Sequence, residues 1–377
     1  MKRIAHRLGP AELGTERSVT SVHYGTPGVG QKAYLQASLH ADEVPGMLVM
    51  HHLVKLLDEA EAAGRMRGEV VLVPVANPIG LAQRLFLSGI GRFDASSGEN
   101  FNRGYPDFFA ALAPSIAGRL DTDEARNRAT IRDALRAHVA ALPVRNELSS
   151  LRKTLTSLAC DADVVLDLHC DHEAVLHLYC EEPYWSQCEP LARLIGARTV
   201  LLAKDSGGAS FDEAIGGVWW KLDDHLRREH PTLVRPVPLA CLSVTVELRG
   251  QADVTHALAE GDARALFAFL VHRGLIAGSP PALPPLACVP TPLAGSEDIV
   301  APHAGVIAFA REVGDALAAG DHVADIVDPL TGGVTPLHAA HAGVLYARYN
   351  RRYATPGVTI AHVAGAVSFR SGNLLSP

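Results

Sequence analysis

Between residues 32 and 77 the order of apolar and polar positions changes character three times. Ala33 to Leu39 is a short, nearly continuous apolar run, the pattern of a strand covered on both faces. His40 to Val44 interrupts it, and Pro45 suits the first turn of a helix. Met47 to Ala63 brings apolar residues back near helical spacing until Gly64 ends the run. Glu69 to Ala76 (EVVLVPVA) is a β-branched run closed by the turn residues Asn77-Pro78-Ile79-Gly80. Strand, helix, strand in this order predicts a βαβ unit, and therefore an α/β fold with a mixed, mostly parallel sheet flanked by helices.

Downstream the same grammar continues. Residues 107 to 161 are mainly helical, with an Arg/Glu-rich middle. Asp163 to Leu168 (DVVLDL) reads as a buried strand with His169 at its C-terminal end. Leu239 to Leu248 (LACLSVTVEL) is another, carrying Glu247 near its end, and a helix follows from Val254 to Arg273. Open α/β sheets collect functional groups at the carboxyl ends of their strands. Residues 278 to 295 hold six prolines in 18 residues, too many for a regular element. Beyond them, Val306-Ile307, Val323 to Val327, Gly343 to Tyr346 and Val358 to Ala361 are short strands spaced by Gly, Asp and Pro, the texture of a small all-β barrel or sandwich. The expected division is an α/β domain over 1–278, a Pro-rich linker over 279–296 and a β-domain over 297–377.

Composition narrows the function classes. With 377 residues, 48% of them hydrophobic and 20% charged, the chain is too apolar to be disordered and long enough for two domains. A net charge of -7 argues against nucleic acid as a main partner, because no excess of Lys and Arg is available to neutralise phosphates. Met1 to Val19 lacks the apolar core of a secretory signal, and no uninterrupted apolar run is long enough for a membrane span, so a cytoplasmic protein without a membrane partner is expected. Six cysteines, in no CxxC pair, read as reduced thiols.

Three segments could carry chemistry. His40-Ala41-Asp42-Glu43 and Asp167-Leu168-His169 together offer two imidazoles and a carboxylate at strand ends. Two His and one Glu with an open fourth position is the ligand set of catalytic zinc in some hydrolases, although a histidine taken alone is more often a surface or satisfied core residue. Asp167, two residues before His169, points to the same side of its strand and is placed to orient a ligand from behind. Glu247 closes an otherwise apolar strand, either in a salt bridge with Arg249 or as a general base that takes a proton from water. Arg92 and Arg103, flanked by Gly91, Asn102 and Gly104 in a long loop, carry the bidentate fork that can clamp a carboxylate, or are simply solvated. The Gly-rich segment 205–220, with Trp219 and Trp220, is either a lid that lays a tryptophan on substrate or a loop leading into an apolar helix.

In this order, His40-x-x-Glu43, Asn77-Pro78, Asn102-Arg103, Asp167-Leu168-His169 and Thr245-Val246-Glu247 resemble the succinylglutamate desuccinylase/aspartoacylase family, which belongs with the zinc carboxypeptidases. The resemblance covers roughly residues 30 to 275. It implies a zinc-carboxypeptidase-like fold with one Zn²⁺ per chain on His40, Glu43 and His169, and Glu247 as general base. It also implies that Asn102 and Arg103 hold the substrate's free carboxylate and that Arg92 polarises the scissile carbonyl. The activity implied is hydrolysis of the amide bond of an N-acylated amino acid or a related small carboxylate. The alternatives are a zinc carboxypeptidase acting on short peptides and a non-catalytic scaffold, and a homodimer is the default assembly. Ala304-Gly305-Val306, Gly314 to Ile326, Ala342 to Tyr346 and Thr355-Pro356-Gly357 resemble the biotinyl/lipoyl-like β-domain appended to many members. A carrier domain needs a lysine at a hairpin tip. The chain has six lysines and none after Lys221, so the β-domain is expected to be a structural or assembly module, or a wall over the active site.

Overall fold

The computed structural model describes residues 1–229, 231–232 and 234–375. The chain opens with an antiparallel pair, β1 (Lys2–Arg7) and β2 (Ser18–Tyr24), and then enters the βαβ unit β3 (Lys32–Ala37), α1 (Pro45–Ala62) and β4 (Glu69–Val73). A short helix α2 (Pro78–Ala82) and a small hairpin of β5 (Arg84–Leu85) and β6 (Ser88–Gly89) lead into the helices α3 (Phe108–Ile116), α4 (Glu124–Ala141) and α5 (Glu147–Ala159). The central part continues with β7 (Val164–Asp171), β8 (Glu173–Ala174), β9 (His177–Glu181), α6 (Trp185–Ile195), β10 (Thr199–Ala203), α7 (Phe211–Glu229), β11 (Leu242–Gly250) and α8 (His256–His272). The C-terminal strands are β12 (Thr291–Pro292), β13 (Ser296–Val300), β14 (Gly305–Phe309), β15 (Ala316–Leu317), β16 (His322–Asp328), β17 (Gly333–His338), β18 (Gly343–Arg348), β19 (Tyr353–Ala354) and β20 (Thr359–Gly365).

Nine strands form one sheet in the order β1-β2-β4-β3-β7-β11-β9-β10-β12, parallel through its centre and antiparallel at β1-β2-β4 and at β11-β9. Its two faces are buried differently. Leu35, Ala37, Leu166, Leu168, Val244 and Val246 pack with α1, α6 and α8 in one apolar cluster. On the opposite face, Tyr34 and Val165 pack against α3, α4, α5 and α7. Toward the strands' carboxyl ends that second face turns polar. Gln36, Asp167, His169, Thr245 and Glu247 occupy the positions where the alternation of a strand would continue the core. An α/β/α sandwich is thus opened on one side, at one end, by five side chains.

The C-terminal strands make two further sheets, β13-β20-β18-β15 and β17-β16-β14-β19, around their own apolar cluster of Ile307, Val323, Ile326, Leu345 and Val363. The expected small all-β domain is therefore a two-sheet sandwich. Each part also lends a strand to the other. The β8 strand pairs with β18, with Arg348 opposite Glu173, and β12 adds to the edge of the main sheet beside β10. The Pro-rich stretch is accordingly more than the structureless linker that its composition predicts. Its first part is irregular, but Thr291-Pro292 is an edge strand, where a proline can lie without removing a ladder bond. The β1–β2 hairpin was not legible either, because at the outer edge of the sheet its side chains alternate between solvent and partial cover.

Candidate metal centre and its cavity

The loop after β3 begins with Ser38 at φ +64°, a left-handed turn that a serine rarely adopts and that directs His40 back over the strand ends. Two neighbours fix this loop. Asn77 donates from Nδ2 to the Leu39 carbonyl at 2.9 Å while its Oδ1 accepts from Gly80 N, so the Asn77-Pro78 turn acts as a brace. Gly91 accepts from Ala41 N at 3.0 Å through its carbonyl, and a Cβ there would sit 2.7 Å from Asp42 N; glycine is what lets the Arg92 loop approach. Glu43 follows just before α1, whose first residue is Pro45.

On β7 and β11 the register sets Glu247 beside His169 and Thr245 beside Asp167 in neighbouring parallel strands, hence on the same face. The strand then bulges after Glu247, with Arg249 at φ +65°. Arg249 does not pair with Glu247; it pairs with Asp262 of α8. The salt-bridge alternative for Glu247 is thereby removed, and its Oε2 is a buried oxygen with no partner.

His40, Glu43 and His169 are buried, and their donor atoms lie within 4.8 Å of one another. Glu43 Oε1 is 2.9 Å from His40 Nδ1, and Oε2 is 2.8 Å from His169 Nδ1 and accepts from Cys170 N at 3.1 Å. The far side of each ring is also occupied. His40 Nε2 meets Asn100 Oδ1 at 2.9 Å, an oxygen fixed as such because it also accepts from Asn102 N. His169 Nε2 lies 3.1 Å from Asp167 Oδ2. A neutral imidazole that donates through Nε2 presents a lone pair at Nδ1. Both lone pairs would then point at a carboxylate, an arrangement that needs a cation between them. The donor set fits a divalent metal with nitrogen and oxygen ligands, and orienting groups behind each histidine are what such sites use.

The electrostatics of the cluster agree. Burial lowers His40, with the Arg92 guanidinium adding to it. Burial would raise Glu43, yet the facing His40 and His169 hold it well below the usual carboxylate range. Burial opposes a charge on His169, but Asp167 and Glu43 on its two sides raise it well above an ordinary imidazole. Burial, then the charge of Glu43, pushes Glu247 well above its ordinary value.

These groups line a cavity of about 660 Å³. Arg92 enters it with Nη1 3.3 Å from both Glu43 Oε1 and His40 Nδ1. Asn102 and Arg103 line it as well, Asn102 accepting the Phe211 N–H at 2.9 Å through Oδ1 and so tying this loop to the start of α7. Every sequence-derived site residue therefore faces this one cavity except Asp167, which stands behind His169. The β-domain closes the other side with Asp298, Tyr346, Arg348, His362 and Arg370. Of the two readings of 205–220, the loop leading into a helix is correct: Trp219 is 0% exposed in the apolar core, and Trp220 lies outside the cavity between Lys204 and Lys221. Sequence reasoning missed Asn100, although it stands two residues before Asn102, and missed Glu181, Asp212 and Glu213 on the cavity wall.

The catalytic-domain profile of the succinylglutamate desuccinylase/aspartoacylase family matches residues 29–273. The chain belongs to that family. It is a family of deacylating hydrolases, so a hydrolase is the class of protein this fold carries. Among solved structures, a family protein of Shewanella amazonensis is 28% identical over 97% of this chain and 98% of its own, with a TM-score of 0.85. One from Shewanella frigidimarina is 26% identical over 97% of each chain, with a TM-score of 0.84. The ectoine utilization protein EutE (DoeB) of Ruegeria pomeroyi shares the fold at 15% identity, covering 96% of this chain and 95% of its own, with a TM-score of 0.68. All three coverages include the β-domain, so the two-part architecture is common to them. No curated protein matches the chain. Among the described residues, no helix is long and apolar enough to cross a membrane. The six cysteines are unpaired and five are buried.

Proposed function

We propose that the protein is a zinc-dependent deacylase that hydrolyses the amide bond of an N-acylated amino acid or a related small carboxylate. The observation that carries this reading is the convergence of His40 Nδ1, Glu43 and His169 Nδ1 beside an unpartnered Glu247 in a walled cavity. His40, Glu43 and His169 would hold one zinc ion, which would supply Lewis acidity and make water reactive near neutral pH.

Each remaining step belongs to the chain's own groups. Glu247 Oε2 accepts the proton of the attacking water and later delivers it to the leaving amine. Arg92, 3.3 Å from Glu43, turns its guanidinium toward the carbonyl oxygen as negative charge develops there, an effect worth about 3 kcal/mol per donor. Arg103, with Asn102 beside it, binds the free carboxylate of the substrate and fixes the distance from that carboxylate to the scissile bond. Asp167 and Asn100 hold the two imidazoles in the tautomer that directs Nδ1 inward.

The wall contributed by the β-domain favours a small substrate over a peptide, since an extended chain would have to run through Tyr346 and Arg348. Zinc-loaded protein offered a panel of N-acyl amino acids and a matched panel of dipeptides should release free amine from the former. Faster release from dipeptides would make it a carboxypeptidase, and release from neither would remove the proposal.

A further inference from the structure

Beyond β20 the chain leaves the β-sandwich and returns to the α/β part. Phe369 N and Arg370 N both donate to the Ala294 carbonyl at 3.0 Å. Arg370 then holds the next turn together. Its Nη1 donates to the Ser296 carbonyl and its Nη2 to the Leu374 carbonyl, each at 3.0 Å, with Asp298 3.3 Å away. One guanidinium thereby ties residues 370–374 to β13 of the β-domain. Leu374 and Leu375 pack on the apolar cluster of Leu201, Leu293 and Tyr346, and both line the cavity.

This segment docks on the loop between β10 and α7, residues 204–210, which carries the pair Gly207-Gly208. The start of that loop is tied to α7, with Ser206 N on Glu213 and Asp205 on Lys221, both at 2.7 Å. Its glycines are reached from the other side. Leu374 N donates to the Ser206 carbonyl at 2.9 Å. Asn373 lies directly against Gly207, which has φ +80° and where a Cβ would come within 2.5 Å of Asn373 Oδ1. Glycine is needed here both for the backbone conformation and for the close approach.

The second glycine meets Arg103. A Cβ on Gly208 would lie 3.3 Å from Arg103 Nε and 3.4 Å from Cζ, so the guanidinium rests against this backbone. Arg103 Nη1 donates to the Asn102 carbonyl at 2.8 Å, and Tyr105 N donates to the Ala209 carbonyl at 3.3 Å. With the bond from Phe211 N to Asn102, these contacts make the Arg103 loop and the 204–210 loop one packed unit. The β-domain grips that unit through Asn373 and Leu374. A long side chain keeps one rotamer only where packing excludes the others. We propose that residues 370–375 are a strap that positions Arg103 for the free carboxylate of the substrate, with Asn373 and Leu374 as positioning residues. The inference rests on the deacylase reading for the task of Arg103, but not for the grip of the strap on the loop.

The test compares the N-acyl amino acid cleaved fastest by zinc-loaded full-length protein with its α-carboxamide, which offers Arg103 no negative charge. Wild-type kcat/KM should favour the carboxylate by at least about tenfold, the increment expected for a charged hydrogen bond in a closed site. Leu374→Pro removes the N–H that reaches Ser206, and Gly207→Ala pushes a methyl into Asn373. Each should shrink the ratio about tenfold by raising KM for the carboxylate, with kcat, carboxamide hydrolysis and zinc content changed less than about twofold. Leu374→Ala keeps the N–H and should keep the wild-type ratio. Where one variant loses zinc, the other decides. A ratio preserved in a folded variant overturns the strap. So does an equal fall for both substrates, or loss of zinc from both variants, because the segment then supports the fold and not Arg103. A wild-type ratio near one removes the carboxylate role of Arg103, and the task of the strap with it. If neither compound is cleaved, the deacylase reading falls, and calorimetric Kd values for N-acetylalanine and N-acetylalaninamide decide. A wild-type preference for the carboxylate that both variants lose upholds the strap, and any other result overturns it.

Discussion

The α/β part and the β-domain face each other across one cavity and contribute opposite things to it. From the α/β side come the converging imidazoles and carboxylate, Glu247 and the two loop arginines, each held by strand register or by a braced turn. From the β side come Tyr346, Arg348, His362 and Arg370: Tyr346 meets Ser296, and His362 and Arg370 meet Asp298, within the wall, while Arg348 reaches Glu173 of β8 across the junction. The metal cluster lies wholly on one side, and what the other side provides is enclosure. A fold that separates the two roles can change its substrate by altering the wall while leaving the strand ends alone. The lysine-free β-domain fits this division, since a swinging carrier arm would need a mobile tip and this sandwich is instead stitched to the main sheet at β8 and β12.

The comparison can be broken from either side, and the α/β side should give the larger effect. His169→Ala removes one of the three proposed ligands and the group that faces Asp167, so zinc measured in the purified protein should fall to background together with hydrolysis. Asp167→Asn leaves the ligands in place and should weaken zinc affinity about 10–100-fold in a chelator competition. Retention of wild-type affinity by Asp167→Asn would show that the 3.1 Å approach to His169 has no orienting role.

On the β side the expected effect is smaller and of another kind. Arg348 Nε donates to Glu173 Oε2 at 2.6 Å, and β18 pairs with β8 at the same point. Arg348→Ala should cost about 1–2 kcal/mol in a denaturant titration, because the arginine is mostly covered and Glu173 keeps Arg352 as a second partner. It should raise KM with zinc content intact. A loss of zinc in this variant would mean that the wall also supports the metal cluster, and the division of roles would fail.

Much of this site could be read from the sequence because its parts obey local rules. His40, Glu43, His169 and Glu247 stand at or just past the ends of apolar strands, and an ordered set of short patterns separates them from the other histidines among 18. The polar half of one sheet face was legible only in part. Asp167 and His169 share a strand, so alternation puts them together. That Glu247 joins them depends on the pairing of β11 with β7, which links residues far apart in the chain. The acidic wall was out of reach for the same reason. Glu181 meets Asp212 only because β9 runs antiparallel to β11 and α7 crosses the sheet beside both, and no window of the sequence contains that geometry. The edge strands β1 and β12 were missed because an edge has little burial to imprint a pattern, and two residues of Thr-Pro carry none.

The central claim is that Glu247 moves the proton for a reaction at the His40–Glu43–His169 cluster. Glu247→Gln tests it most directly, since the amide keeps the shape of the carboxylate and cannot accept the proton. Zinc content and turnover of an N-acyl amino acid are measured on the same preparation. The account predicts one zinc per chain and a kcat lower by about 10²–10⁴. Full zinc with unchanged turnover would contradict it.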